Sequence, residues 1–338
     1  MTGSLSQACL LDRSGSMEGE KFRQAQEALI YILKHLQEND RFFVLTFGSN
    51  TEAYSNHLAP ASEADRASEW INQLGAVGST DIDRALREAA AVVEEERPTY
   101  LIFLTDGLPT RGVVDSNQIL TNVRKELPGN VRLFPFGVGY DVDTFLLDSL
   151  AQSQHGLSMY VSPEEALDER LSEFYEKIRS PVLTDIELNF GGLEVYDVYP
   201  NPLPDLFEGN QIIIIGRYRQ GVNVEIQLKG KVNGIIKQFN YPDQHFSKGD
   251  QVFEQSTNSL PRLWATRKIG YLLTEIRLNG ADEETVEQII RLSLRYGIVT
   301  PYTSYLITEE VPLGETAQRE AIQDAYSHAI AQPTQPSF

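Results

Sequence analysis

The chain has 338 residues, of which 41% are hydrophobic and 23% charged, a composition typical of a globular protein with room for more than one packed core. Its formal net charge is -19, from 29 Lys and Arg residues against 48 Asp and Glu residues. This negative charge repels phosphate backbones and anionic membrane surfaces, so nucleic acid is excluded as the expected partner. An acidic chain is compatible with divalent cation binding if its carboxylates converge at one place.

The cysteine content and the first residues of the chain bear on its cellular compartment. Cys9 is the only cysteine, so it forms no intramolecular disulfide, and we expect it to be a small buried hydrophobic residue. The stretch from Met1 to Gln7 lacks the basic and apolar regions of a secretory signal. No run of about 18 apolar residues predicts a membrane span. We therefore expect a cytoplasmic protein by default, and the oligomeric state stays open.

The first 180 residues alternate short apolar runs with stretches of helical periodicity. Strands are predicted at Ala8 to Leu11, Phe42 to Phe47, Tyr100 to Thr105 and Val131 to Val138. Helices are predicted at Phe22 to Leu36, Ala67 to Leu74, Ile82 to Val93, Ile119 to Leu127, from Asp143 onward, and at Pro163 to Arg179. This alternation predicts an α/β fold with a doubly wound, mostly parallel sheet of the Rossmann-like kind. The segment Leu5 to Leu11 is a weaker strand than a central position requires.

The pattern changes at Ser180-Pro181. Short β-branched or aromatic segments separated by Gly, Pro and Asn predict antiparallel strands at 185–190, 211–218, 222–228 and 234–239. Helical spacing returns at 263–276 and 283–296, before a predicted strand from Tyr302 to Ile307. We therefore expect three parts: a first domain over residues 1–180, a β-rich, sandwich-like domain with helices over 181–310, and a C-terminal helix with a flexible tail over 311–338.

Three segments place oxygen-bearing side chains just after predicted strands or in a Gly-rich loop: Asp12-Arg13-Ser14-Gly15-Ser16, Gly78-Ser79-Thr80-Asp81 and Thr105-Asp106-Gly107. The carboxyl ends of parallel strands share one edge of the sheet, so Asp12 and Asp106 are expected to face the same crevice. Two adjacent carboxylates repel each other unless a cation lies between them. The hydroxyls of Ser14, Ser16 and Thr80 supply neutral oxygen ligands, and Mg²⁺ suits such a set best.

These five positions resemble the metal-ion-dependent adhesion site of von Willebrand factor type A domains, and the resemblance covers roughly the first half of the chain. It implies that Ser14, Ser16 and Thr80 coordinate Mg²⁺ directly, with Mn²⁺ as a substitute. It also implies that Asp12 and Asp106 coordinate the ion directly or through water. In this family, ligand engagement is expected to move the last helix of the domain.

A second resemblance extends further along the chain. It is carried by Leu203-Pro204-Asp205-Leu206-Phe207-Glu208-Gly209, by Leu260-Pro261-Arg262-Leu263-Trp264-Ala265, and by the stretch from Arg295 to Tyr305. These segments are similar to bacterial relatives of the inter-alpha-trypsin inhibitor heavy chains. In that family a β-rich module precedes the type A domain and a β-sandwich with helices follows it. The leading module is expected to be absent here.

Together these features predict a non-enzymatic, Mg²⁺-dependent protein that captures an exposed Glu or Asp of a protein ligand. The alternative is a Mg²⁺-dependent hydrolase of the haloacid dehalogenase type, which also has an Asp at the end of its first strand. That class needs a second carboxylate two residues later, where this chain has Ser14. A third possibility is a metal that only stabilises the sheet.

Three further residues have an ordinary structural interpretation: two lie beside the predicted ligands, and the third is a tryptophan. Asp81 begins a helix, so its default role is an N-terminal cap, with an indirect role at the metal site left open. Arg13 stands between two predicted ligands, where it either lies exposed in a loop or assists an acidic partner. Trp264 lies in an apolar helical stripe and is expected in a core.

Overall fold

The computed structural model describes residues 5–162, 164–178, 181–207, 209–232, 235–247 and 259–303. The chain divides into two compact units. The first unit comprises Met1–Glu187, Pro202–Ile212 and Leu228–Phe239. The second unit comprises Leu188–Asn201, Ile213–Gln227 and Asn240–Phe338. The domain boundaries at residues 180 and 310 stay predictions.

The first unit contains a seven-stranded sheet. Its strands are β1 Ser6–Asp12, β2 Arg41–Phe47, β3 Thr51–Ala53, β4 Ala59–Pro60, β5 Thr99–Thr105, β6 Val131–Val138 and β7 Met159–Val161. They follow the order β3-β2-β1-β5-β6-β7, with β4 also paired to β2. β2, β1, β5, β6 and β7 are mutually parallel, whereas β3 and β4 run antiparallel to β2. The four predicted strands are therefore confirmed, and three strands of two or three residues were not predicted because so few residues show no periodicity.

β1 occupies the middle of this sheet, between β2 and β5. All seven of its residues are buried, including Cys9, as predicted. Its first two residues, Ser6 and Gln7, are polar, so its sequence made it a weak candidate for this position. Tertiary packing satisfies part of that start, since the side-chain N–H of Gln7 donates a hydrogen bond to the hydroxyl of Tyr175, whereas Ser6 Oγ and Gln7 Oε1 are buried without a hydrogen-bond partner among the described residues.

Six helices cover the two faces of the sheet. They are α1 Glu20–Lys34, α2 Ala64–Asn72, α3 Ile82–Ala90, α4 Ser116–Glu126, α5 Thr144–Ser153 and α6 Leu167–Ile178. α1, α2 and α6 form one apolar cluster with Cys9 and Leu11. Because side chains alternate along a strand, Ala8 and Leu10 face the opposite side, where α3 contacts β1 and β2 and α5 contacts β6. The predicted doubly wound α/β fold is confirmed; Pro163 and Arg179, the predicted ends of the last helix, lie outside the described residues.

Antiparallel sheets and two helices make up the rest of the described chain. The strands are β8 Pro181–Asn189, β9 Val195–Tyr199, β10 Leu206–Phe207, β11 Ile215–Tyr218, β12 Asn223–Val232 and β13 Ile235–His245. They form a four-stranded sheet of order β10-β8-β12-β13 and a two-stranded sheet of β11 and β9. The predicted strand at 211–218 begins only at Ile215, and β9 and β10 were not predicted.

The two helices are α7 Ser259–Asn279 and α8 Glu283–Tyr296, which pack against each other through Ile269, Leu272 and Ile289. Trp264 is buried, as predicted, and its indole N–H donates to the carbonyl of Asp197 at 3.1 Å. Tyr302 lies in a turn rather than in the predicted strand. Thr303 lies in the same turn, and residues 304–307 of that strand and the predicted C-terminal helix lie outside the described residues. Across the ranges that the structure describes, no helix is both long and apolar enough to cross a membrane.

Candidate metal centre

The carboxyl ends of β1 and β5 lie side by side at one edge of the sheet. The two strands are parallel neighbours with Leu11 opposite Leu104, so Asp12 comes next to Thr105 and one residue from Asp106. The chain leaves β1 toward α1 on one face and leaves β5 toward α4 on the other. This is the point at which the winding direction of the sheet reverses, where an open α/β sheet forms its binding crevice.

Asp12 is fully buried at the end of β1, and both of its carboxylate oxygens accept hydrogen bonds. The backbone N–H of Ser14 donates to Oδ1 at 2.8 Å, and the hydroxyl of Thr105 donates to Oδ2 at 2.6 Å. Burial raises the pKa of Asp12 to about 6, against the effect of these two hydrogen bonds, and the charge of Asp106 adds to the rise. A cation at this site would favour the charged form of the carboxyl group.

Ser14 and Ser16 are brought together by a short 3₁₀ turn over Gly15–Met17, which begins directly after Ser14. Their hydroxyl oxygens lie 3.0 Å apart. Ser16 also donates to Asp106 Oδ1 at 2.8 Å, which links the end of β1 to the end of β5. Ser14 is buried and Ser16 is exposed, so this edge of the crevice is open to solvent at Ser16.

Thr80 lies in the loop that precedes α3, and hydrogen bonds connect it to the loop after β5. Its N–H donates to the hydroxyl of Thr110 at 2.9 Å, and its carbonyl accepts from the N–H groups of Thr110 and Arg111. A Cβ atom added to Gly107 would lie 3.8 Å from the Thr80 hydroxyl and 3.9 Å from that of Ser16. Both hydroxyls therefore border the same glycine, so Thr80 and Ser16 face a common space at the end of β5.

The structure thus brings the five predicted residues to one crevice. The donor set consists of three hydroxyls and two carboxylates, which suits Mg²⁺, a hard cation that typically takes one or two carboxylates and retains several waters. Within the described ranges, no group of three or more His, Cys, Asp or Glu side chains offers another candidate metal site. The assignment of these residues as ligands stays a prediction.

Sequence reasoning missed two residues that contact the carboxylates. Thr105 directly precedes Asp106 in the segment Thr105-Asp106-Gly107. Its position at the end of a strand beside β1 could have indicated a contact with Asp12. Lys21 lies on α1, where its ammonium Nζ is 3.0 Å from Asp106 Oδ2. No local pattern identifies Lys21, because the contact joins residues 85 positions apart.

Arg13 and Asp81, the two residues beside the predicted ligands, contact groups other than Asp12 and Asp106. The guanidinium of Arg13 pairs with Glu52 at 2.7 Å, so it is neither a free loop residue nor directed at the two carboxylates. Asp81 caps α3, since its Oδ1 accepts a hydrogen bond from the N–H of Arg84 at 3.2 Å. The default interpretation of Asp81 is confirmed.

The cap leads to a first prediction. Replacing Asp81 with Ala should lower the free energy of unfolding by about 1 kcal/mol, because the first turn of α3 loses its acceptor. Asp81→Ser should recover most of that loss, since a serine hydroxyl also caps a helix. Urea unfolding followed by circular dichroism measures both variants. Equal losses in the two would show that the carboxylate acts in some way other than as a cap.

Comparison with known proteins assigns this fold to a family. A family model described as von Willebrand factor type A domain matches residues 8–160, the part that contains all five predicted ligands. Residues 8–160 form a von Willebrand factor type A domain.

The type A domain belongs to a chain that resembles inter-alpha-trypsin inhibitor heavy chains along most of its length. It is 31% identical to human heavy chain H4 over 324 residues, which cover 89% of this chain and 34% of that protein. It is 30% identical to porcine heavy chain H1 over 319 residues, which cover 88% of this chain and 35% of that protein. The chain therefore spans about a third of the length of these relatives. Both are mammalian, and a bacterial origin stays a prediction.

Solved structures share the fold at lower identity. A von Willebrand factor type A protein from Catenulispora acidiphila superimposes with a TM-score of 0.60 at 17% identity, covering 87% of this chain and 80% of that one. An ArnB paralog from Sulfolobus acidocaldarius gives a TM-score of 0.51 at 15% identity, covering 96% and 88%. At these identities the likeness establishes the fold alone.

The loops around the crevice of the type A domain expose large apolar side chains. Val77 lies in the loop that carries Thr80, Leu108 and Val114 follow β5, and Tyr140 follows β6; all four are about half or more exposed. The loop of Val77 is held against the crevice, since the N–H of Gly15 donates to the carbonyl of Gly78 at 2.9 Å. Apolar side chains beside a polar crevice are typical of a surface that contacts another protein.

Proposed function

We propose that the type A domain binds Mg²⁺ through Ser14, Ser16 and Thr80, with Asp12 and Asp106 supporting these ligands, and captures an exposed Glu or Asp of a protein partner. The protein acts by recognition and catalyses no reaction. The observation that carries the proposal is the convergence of three hydroxyls and two buried carboxylates at the edge where β1 and β5 end.

The hydrogen bonds within the crevice support the hydroxyls as the direct ligands. Each carboxylate oxygen of Asp12 and Asp106 already accepts a donor from the chain: the N–H of Ser14, the hydroxyls of Thr105 and Ser16, and the ammonium of Lys21. The carboxylates thus hold the hydroxyls in place and supply negative charge at short range. A Mg²⁺ ion bound mainly by neutral hydroxyls would supply an electrophilic coordination position for an incoming carboxylate.

The apolar loops support a protein as the partner. A small carboxylate needs only the crevice, whereas a protein surface also covers the exposed side chains of Val77, Leu108, Val114 and Tyr140. Burial of such apolar area contributes roughly 25 cal/mol per Å² to association, and the carboxylate contact contributes specificity. No observation favours the hydrolase alternative, because Ser14 occupies the position at which that chemistry needs an acid.

The first test measures metal binding. Titration calorimetry of the protein with MgCl₂ should give one site, and Ser14→Ala should weaken it at least about tenfold, since one direct ligand is lost. Ser172→Ala, a matched change on α6, should bind Mg²⁺ as the wild type does. Absence of Mg²⁺ binding by the wild type would refute the proposal.

The second test measures carboxylate capture. Bound Mn²⁺ enhances the relaxation of water protons, and sodium acetate should reduce that enhancement as its carboxylate displaces bound water. Sodium chloride at the same concentration should leave the enhancement unchanged. Metal binding that is unaffected by acetate would support the purely structural metal and contradict capture. Turnover of p-nitrophenyl phosphate that requires Mg²⁺ and Asp12 would restore the hydrolase alternative.

A further inference from the structure

Lys21 reaches the buried crevice from the first turn of α1. Its ammonium lies 3.0 Å from Asp106 Oδ2, and the Asp106 side chain is only 1% exposed whereas that of Lys21 is 36% exposed. Gly139, just after β6, borders this contact, since a Cβ atom there would lie 3.4 Å from Lys21 Nζ, at van der Waals distance. Gly139 has a φ of +96°, a conformation that glycine adopts without strain.

The contact places a positive charge beside a site that is expected to receive a divalent cation. In their ionised forms Asp12 and Asp106 together carry two negative charges, and the ammonium of Lys21 beside Asp106 reduces the net charge of the three groups to −1. A bound divalent ion then leaves the group with a net positive charge rather than a neutral one. Arg13 does not contribute to this balance in the same way, because its guanidinium is paired with Glu52.

The contact also fixes the orientation of Asp106. One carboxylate oxygen accepts from Ser16 at 2.8 Å and the other accepts from Lys21 at 3.0 Å, so the two donors hold the carboxylate from both sides. Without the ammonium, Oδ2 becomes available to a metal ion. Direct carboxylate coordination would tighten metal binding and would reduce the attraction of the ion for a further carboxylate.

We propose that Lys21 is a positioning residue that sets the charge balance of the crevice: it weakens binding of the divalent cation and strengthens capture of an acidic partner. This inference rests on the proposed function. It distinguishes Lys21 from a residue that only keeps Asp106 ordered. Loss of order in the carboxylate would weaken metal binding or leave it unchanged, whereas loss of the competing ammonium removes a positive charge, frees Oδ2 and strengthens metal binding.

The test compares Lys21→Gln with wild type in two measurements. Calorimetry with MgCl₂ should show about tenfold tighter binding by the variant, because one unit charge near a divalent cation is removed at a partly solvated site. Water-proton relaxation of the Mn²⁺-loaded variant should require a several-fold higher acetate concentration for the same displacement of water. Lys34→Gln is the matched control: it changes the same charge on an exposed residue of α1 and should alter neither value.

Lys21→Arg retains the charge and should restore both values toward wild type, provided that its unfolding midpoint shows a folded protein. Unchanged or weaker Mg²⁺ binding by Lys21→Gln would overturn the role of Lys21 while leaving the proposed function intact. Failure of the wild type to bind Mg²⁺ would instead refute the proposed function, so the two failures are distinguishable.

Discussion

Replacing Asp205 with Ala should lower the free energy of unfolding of the first unit by about 3–5 kcal/mol, the cost of removing the buried carboxylate partner of a buried guanidinium. Asp205 Oδ2 contacts the guanidinium of Arg132 on β6, and the two side chains are 1% and 7% exposed. Its Oδ1 accepts from the N–H of Asp185 at 2.9 Å. The Ala variant would remove both contacts and leave the guanidinium with Asp185, which is 41% exposed, as its remaining carboxylate partner.

Denaturant unfolding measures this loss, and two further variants define its origin. Asp205→Asn keeps a hydrogen-bond acceptor and should lose less than the Ala variant. Glu27→Ala removes one of the two carboxylate partners of Arg23, in an exposed ion pair on α1, and should change stability by no more than about 0.5 kcal/mol. A loss below about 1 kcal/mol for Asp205→Ala would show that water replaces the carboxylate at Arg132.

This contact explains part of the second resemblance in physical terms. The segment from Leu203 to Gly209 contributes Asp205 to Arg132, and it contributes Phe207 to an edge-to-face contact with Phe134 at 5.8 Å between ring centroids. Both contacts reach β6 and both belong to the first unit. The segment therefore has a structural role, which its sequence alone did not reveal because Arg132 lies 73 residues away.

The fold was predictable where a single element carries a clear period. α1 and the strands β2, β5 and β6 came from apolar spacing, and the alternation of elements gave the doubly wound sheet. β3, β4 and β7 were missed because each has only two or three residues. β1 was underestimated because Ser6 and Gln7 are polar, and their burial depends on neighbours distant in sequence, such as Tyr175.

The residues of the candidate site could be predicted from the sequence, but the contacts between them could not. Asp12, Ser14 and Ser16 form one continuous motif, and Asp106 directly follows a second strand, so local sequence identified them. The roles of Thr105 and Lys21 arise from strand register and from the direction in which α1 leaves the crevice. Such relations between distant segments are set by the tertiary fold.

Magnesium should stabilise the wild type and have no effect on Asp106→Ala. At a free Mg²⁺ concentration about 100 times the dissociation constant, an ion that binds only the folded state adds about 2.7 kcal/mol. For a domain of this size the unfolding midpoint should rise by roughly 5–10 °C relative to protein in EDTA. Thermal unfolding followed by circular dichroism measures the shift, and Asp65→Ala on α2 is the matched control that should retain it.

The comparison is made within each variant, between EDTA and Mg²⁺, so the cost of the substitution itself cancels. This matters because Asp106 also accepts hydrogen bonds from Ser16 and Lys21, and their loss alters stability with no metal involved. An Asp106→Ala protein that is less stable in EDTA but gains the full shift with Mg²⁺ would place the ion elsewhere. A shift that disappears only in the site variant ties the stabilisation to the crevice, because there the carboxylate of Asp106 meets the hydroxyls proposed as ligands.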